Sequence, residues 1–190
     1  MTPKPIPLRK AIAPRPQNNL PLIHGLHHFA YRCKDSEETR KFYEDILGLP
    51  FAAAVTHDLV PSTGEYSPYY HIFFELGDGS YLAFFDLLDG EGYESDPKTP
   101  TWVNHLALEV DSLETLEVYK KRLIENGVEV LGVVDHKWFN SIYFFDPNGI
   151  RLELVQRTAS FGEMEKKFNA VKNVMSGLKE KKEALRRSKS

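Results

Sequence analysis

The chain has 190 residues, of which 42% are hydrophobic and 27% charged, a composition that excludes a disordered or fibrous protein. Its length excludes two large independent domains, and its formal charge of -3 excludes a general electrostatic attraction for nucleic acid or an anionic membrane. The single cysteine, Cys33, excludes an intrachain disulfide framework. We therefore expect a cytoplasmic protein that binds neither nucleic acid nor membrane.

The beginning of the chain is rich in proline, with six of the twelve prolines in its first 21 residues. This density predicts an extended arm over residues 1–20. A globular domain is predicted over residues 21–158, followed by a C-terminal segment over residues 159–190. No apolar run reaches the roughly 18 residues that a membrane-spanning helix needs.

The globular region repeats one order of elements. Residues 25–34 have the pattern of a strand, and residues 36–48 that of a helix with a serine N-cap and a glycine stop. The same order, a strand followed by a capped helix, is predicted again at residues 102–110 and 111–127. In each half, strand-like segments follow that end in a hairpin with a glycine turn.

The two halves align without gaps at matching points, which predicts an internal repeat. Three residue pairs define the alignment: His28 with His105, Gly79 with Gly149, and Ala83 with Glu153. The prediction is an α+β fold of two βαβββ modules, at about residues 22–90 and 101–157.

The C-terminal segment carries an apolar stripe at alternating spacings of three and four, which predicts an amphipathic helix. Its members are Phe161, Met164, Phe168, Val171, Met175 and Leu178. The stripe is expected to dock on its own domain or on a partner chain, and the lysine-rich end of the segment is expected to be a frayed basic tail.

Two histidines and one glutamate form the candidate metal site. Glu153 lies between leucines in a predicted strand, where an ionised carboxylate needs a cation or hydrogen-bond donors. His28 and His105 hold the same position in the two modules. Two imidazoles and one carboxylate can bind Fe(II), Mn(II) or Zn(II) and leave coordination positions open. The fourth symmetric position, Ala83, cannot be a ligand.

The other histidines have weaker patterns. Alternation along the strand predicts that His27 points to the face opposite His28 and has a structural role. His71 begins a hairpin strand, and its position fits a pocket residue as well as a core residue. His24 and His57 are expected to be exposed.

Several motifs together resemble the vicinal oxygen chelate superfamily, which includes glyoxalases, bleomycin resistance proteins and extradiol dioxygenases. They are His28-Phe29-Ala30-Tyr31, His105-Leu106-Ala107-Leu108, and Asp146-Pro147-Asn148-Gly149 with Glu153 behind it. The resemblance covers about residues 24–157. It implies two βαβββ modules that form a cupped mixed sheet, with a divalent metal in the cup, Fe(II) before Mn(II) or Zn(II).

Within that superfamily, the segment from Val134 to Glu153 resembles the extradiol dioxygenase signature. This resemblance implies that His136 and Tyr143 are catalytic groups beside the metal. It also implies a homodimeric ring-cleaving enzyme that acts with O2 on a small catechol-like substrate with vicinal oxygens. The alternatives are a glyoxalase-like lyase or isomerase, a thiol transferase with the same metal, and a metal-free small-molecule binding protein. The sequence leaves open whether the modules pair within one chain or between two.

Overall fold

The structure, a computed structural model, describes residues 20–21 and 23–188. Apart from Leu20, the predicted arm lies outside these residues. The described chain falls into two compact units, residues 23–157 and a second unit that contains residues 158–188. None of the described helices is both long enough and apolar enough to cross a membrane.

The first module contains four strands and one helix. They are β1 (His28–Cys33), α1 (Ser36–Arg40), β2 (Phe51–Leu59), β3 (Tyr66–Glu75) and β4 (Tyr81–Asp86), with a π-helical segment (Lys41–Ile46) directly after α1. The predicted serine cap was wrong by one residue. Asp35 is the N-cap and accepts a hydrogen bond from the backbone of Glu38, whereas Ser36 donates to Asp86.

The second module has the same order of elements. They are β5 (Leu106–Val110), α2 (Leu113–Glu125), β6 (Leu131–Asp135), β7 (Phe139–Phe145) and β8 (Arg151–Arg157). Ser112 caps α2, and its hydroxyl accepts a hydrogen bond from the backbone of Thr115. His105, predicted to lie in the strand, directly precedes β5.

The two sheets have the same topology. Their strand orders are β1-β4-β3-β2 and β5-β8-β7-β6, and in each the first pair is parallel and the others antiparallel. Ala83 lies between Ala30 and Phe73 in one sheet. Glu153 lies between Ala107 and Tyr143 in the other. The α+β fold of two βαβββ modules is thus confirmed, together with the alignment of its halves.

Both modules contribute to one hydrophobic core. Its residues include Phe42, Tyr43, Phe74 and Phe84 from the first module and Leu116, Ile142, Phe144 and Leu152 from the second. Because side chains alternate along a strand, neighbours of these core residues point to the opposite face of each sheet. His28, Ala83, Tyr143 and Glu153 all lie on such outward faces.

The second unit contains one long helix, α3 (Phe161–Arg187), which begins with a capping box between Ser160 and Glu163. The helix continues to Arg187, so the predicted frayed tail was wrong over this stretch. Val171 and Met175 of the apolar stripe are exposed.

Candidate metal centre

The carboxylate of Glu153 is the centre of the second-module site. It is only 3% exposed and belongs to β8. Its Oε2 lies 3.1 Å from Nε2 of His105. Its Oε1 accepts hydrogen bonds from the buried hydroxyl of Ser141 and, at 3.0 Å, from the hydroxyl of Tyr143. One carboxylate oxygen is therefore held by hydroxyl donors, and the other faces an imidazole.

The ring of His105 is oriented through its second nitrogen. Nδ1 lies 3.1 Å from the carbonyl oxygen of Val103. A carbonyl oxygen only accepts hydrogen bonds, so this contact requires a proton on Nδ1. In the neutral ring, Nε2 then carries a lone pair directed at Glu153. Two electron-rich atoms 3.1 Å apart need a proton or a metal ion between them.

A hydrogen-bonded chain leads from Glu153 towards the end of β6. Tyr143 donates to Glu153, and Nε2 of His136 lies 2.9 Å from the same hydroxyl. Burial, and then the negative charge of Glu153, raise the pKa of Tyr143, so the phenol keeps its proton at neutral pH. The exposed imidazole of His136 is connected in this way to the carboxylate.

Ser141 and Arg151 also belong to this site, although we did not predict them from the sequence. Ser141 is two residues before Tyr143 on the same strand face, and this spacing is a signal that could have identified it. The Arg151 guanidinium carbon lies 4.6 Å from the centre of the Tyr143 ring. Its spacing of two from Glu153 carries the same signal.

The first-module half of the candidate site is an aromatic and imidazole cluster around His28. The His28 ring contacts His71 and Phe73, with ring centres 6.1 and 5.9 Å apart. Burial, and then the charge of His28, lower the pKa of His71 to about 4. The structure corrects the prediction for His27: this residue precedes β1, and its Nδ1 lies 2.8 Å from Nδ1 of His28.

The structure brings His105, Glu153, Tyr143 and His136 together, but His28 lies on the other sheet with separate contacts. Among the residues that the structure describes, no three His, Cys, Asp or Glu side chains of one chain form a group that could hold a metal ion. A site that contains His28, His105 and Glu153 therefore needs either His28 from a second copy of the chain or a different arrangement of the two modules.

A family model described as the Glyoxalase/Bleomycin resistance protein/Dioxygenase superfamily matches residues 25–154. A curated protein of Bacillus subtilis (strain 168), named "Putative ring-cleaving dioxygenase MhqA", is 25% identical over 135 residues. The match covers 70% of this chain, and the chain spans about 40% of the length of that relative.

Solved structures show the same fold. The fosfomycin resistance protein FosX from Listeria monocytogenes, complexed with Mn(II) and sulfate, has a TM-score of 0.54 and 22% identity, over 75% of this chain and 98% of that chain. A glyoxylase/bleomycin resistance protein/dioxygenase domain from Frankia sp. EAN1pec has a TM-score of 0.59 and 17% identity, over 72% of this chain and 99% of that chain.

Proposed function

Because the chain belongs to the Glyoxalase/Bleomycin resistance protein/Dioxygenase superfamily, we propose that it is a metal-dependent extradiol-type dioxygenase that cleaves the ring of a small catechol-like substrate. The observation that carries the proposal is the approach of His105 Nε2 to Glu153 Oε2, extended by the hydrogen bonds from Glu153 to Tyr143 and from Tyr143 to His136.

The donor set fits a divalent metal. His105 Nε2 and Glu153 Oε2 are 3.1 Å apart, close enough for both atoms to bind one divalent ion. Hydrogen bonds at Nδ1 of His105 and at Oε1 of Glu153 orient the two side chains, as is usual around metal sites. Fe(II) is the ion that this ligand set and the reaction favour, and Mn(II) and Zn(II) fit the same donors.

The third ligand in this proposal is His28 of a second copy of the chain. His28 lies on an outward sheet face, and so do His105 and Glu153, because the shared core occupies the opposite faces. A homodimer in which these outward faces meet supplies two complete sites, each with His28 from one protomer and His105 and Glu153 from the other.

The metal would lower the pKa of a substrate hydroxyl and hold the substrate and O2 together. The protein residues around it would manage protons. His136 is exposed and hydrogen-bonded to Tyr143, so it can take a proton from the substrate and return it later. Tyr143 keeps its proton and donates a hydrogen bond to Glu153, which orients that carboxylate.

Metal analysis of protein purified without oxygen, followed by an O2-uptake screen over catechols, tests this proposal. We expect about one iron per chain and O2 uptake that yields ring-opened products. His105→Ala should lose both, and Lys121→Ala, at an exposed position on α2, should keep both. Metal-loaded protein that consumes no O2 with any catechol would point to the lyase, isomerase or thiol transferase alternatives, and protein that binds no metal would point to the binding-protein alternative.

A further inference from the structure

Three buried side-chain nitrogens of the described residues lack a hydrogen-bond partner. They are Arg32 Nε, His71 Nε2 and Arg151 Nε. The guanidinium of Arg32 forms an ion pair with Asp89, and the His71 ring stacks on Phe85 with ring centres 3.7 Å apart. Arg151 has no ion pair with any carboxylate in the described chain. It is therefore a partly buried cation with no ion-pair partner among the described residues.

Arg151 lies beside the candidate metal ligands. It precedes Glu153 by two residues on β8 and shares its sheet face. The parallel pairing of Leu106 with Leu152 places His105 next to Arg151, one step earlier on each strand. The contact with the Tyr143 ring keeps the guanidinium at this position.

A cavity of about 50 Å³ adjoins Arg151 and is lined on other sides by Tyr93, Asn104 and Phe145. Arg151 is the lining residue that connects this cavity with the candidate metal ligands, through its position on the sheet face of Glu153. The carboxylate that lines it, Asp96, already accepts hydrogen bonds within its own turn from Lys98 and Thr99. The guanidinium is thus available to a ligand.

The charges around Arg151 favour an anionic ligand. One carboxylate and two neutral imidazoles leave a divalent ion with a net positive charge, and Arg151 adds another. A partly buried guanidinium without a partner is costly, and its planar fork of donors matches a carboxylate. We propose that Arg151 binds a carboxylate of the substrate, which is therefore a catechol-like diol with an acidic substituent. The diol part of this inference rests on the proposed function.

The test is equilibrium binding to Mn(II)-loaded protein without O2, measured by calorimetry, with 3,4-dihydroxybenzoate and 4-methylcatechol. The two diols differ in a carboxylate and a methyl group. The wild-type protein should bind the carboxylate about tenfold more tightly or better, as expected for a charge-assisted hydrogen bond. In Arg151→Met the ratio of the two affinities should fall towards one, and Arg151→Lys should give an intermediate ratio.

Arg157→Met is the matched control, because Arg157 lies on the same strand but is paired with Glu109. It should keep the wild-type ratio, and the metal content of each variant shows whether its site is intact. An unchanged ratio in Arg151→Met, or no preference in the wild type, overturns the inference. It is also overturned, together with the proposed diol site, if neither compound binds. If the ratio depends on Arg151 but Fe(II)-loaded protein consumes no O2, the inference stands and only the proposed reaction fails.

Discussion

The hydroxyl of Tyr43 in the first module donates a hydrogen bond to the carboxylate of Asp146 in the second, over 3.0 Å. Tyr43 is fully buried, and Asp146 is 5% exposed. The contact lies at the junction of the modules, on the core side of both sheets. It stabilises an arrangement in which the faces that carry His28 and Glu153 are directed away from the shared core.

Removal of this hydroxyl should destabilise the chain. Tyr43→Phe leaves a buried carboxylate with one donor fewer, so we expect the free energy of unfolding to fall by about 1 to 3 kcal/mol in urea titrations. Tyr119→Phe is the control, because that half-buried hydroxyl donates over 3.3 Å to the carbonyl of Leu47. Equal losses in the two variants would contradict a special role for the Tyr43 contact.

The same carboxylate should make stability depend on pH. Burial raises the pKa of Asp146, although hydrogen bonds from Asn148 and Ile150 oppose the shift. The native state therefore binds this proton more tightly than the unfolded state. The stabilising contribution is complete at low pH and is lost as pH rises from about 4 through the raised pKa. The stability of the wild type relative to Asp146→Asn should decline over that range, and a constant difference would exclude the shift.

Ser141 should affect metal affinity without being a ligand. Its buried hydroxyl donates to Oε1 of Glu153, so Ser141→Ala removes a group that orients the carboxylate. We expect metal to bind about 10- to 100-fold more weakly, the usual effect of such a loss, as measured by competition with a chelator. Ser176→Ala on α3 is the control. Equal metal affinities in the two variants would mean that Ser141 does not support the metal site.

Substitution of His136 should separate metal binding from chemistry. His136→Ala should keep the metal and lower turnover by roughly 10²-fold or more, because it removes a positioned acid or base. Tyr143→Phe should have a milder effect, since the ring and its contact with Arg151 remain. Steady-state assays with a catechol substrate measure the turnover of both variants. Wild-type turnover of the catechol by His136→Ala would contradict the role of His136 as the acid or base of ring cleavage.

The repeat in the sequence predicted the modules because it is carried by residues that pack or turn, such as Gly79 and Gly149. It did not reveal β2 as a separate strand, since every residue of that strand is exposed and the alternation of apolar and polar side chains is weak. The parallel register of β5 and β8 pairs Ala107 with Glu153. His105, two residues before Ala107, is on the same face, and its ring reaches the Glu153 carboxylate.

Other features depend on tertiary structure. The sequence placed His28 at the same position as His105, but symmetry between modules does not determine whether the two equivalent faces meet within one chain. That depends on how the core is shared, for example through Tyr43 and Asp146. Only the structure shows that Nε of Arg151 has no hydrogen-bond partner among the described residues.

Metal content of purified heterodimers tests the central claim most directly. Two differently tagged chains are co-expressed and isolated through both tags. In a heterodimer of His28→Ala with Glu153→Ala, both substitutions fall in one shared site and the second site is intact, so we predict about half the wild-type metal per chain. The second heterodimer pairs a wild-type chain with a chain that carries both His28→Ala and Glu153→Ala. It should contain no metal, because each of its two sites then lacks one ligand. The opposite pattern, an empty first heterodimer and a half-loaded second, would contradict a site shared between protomers.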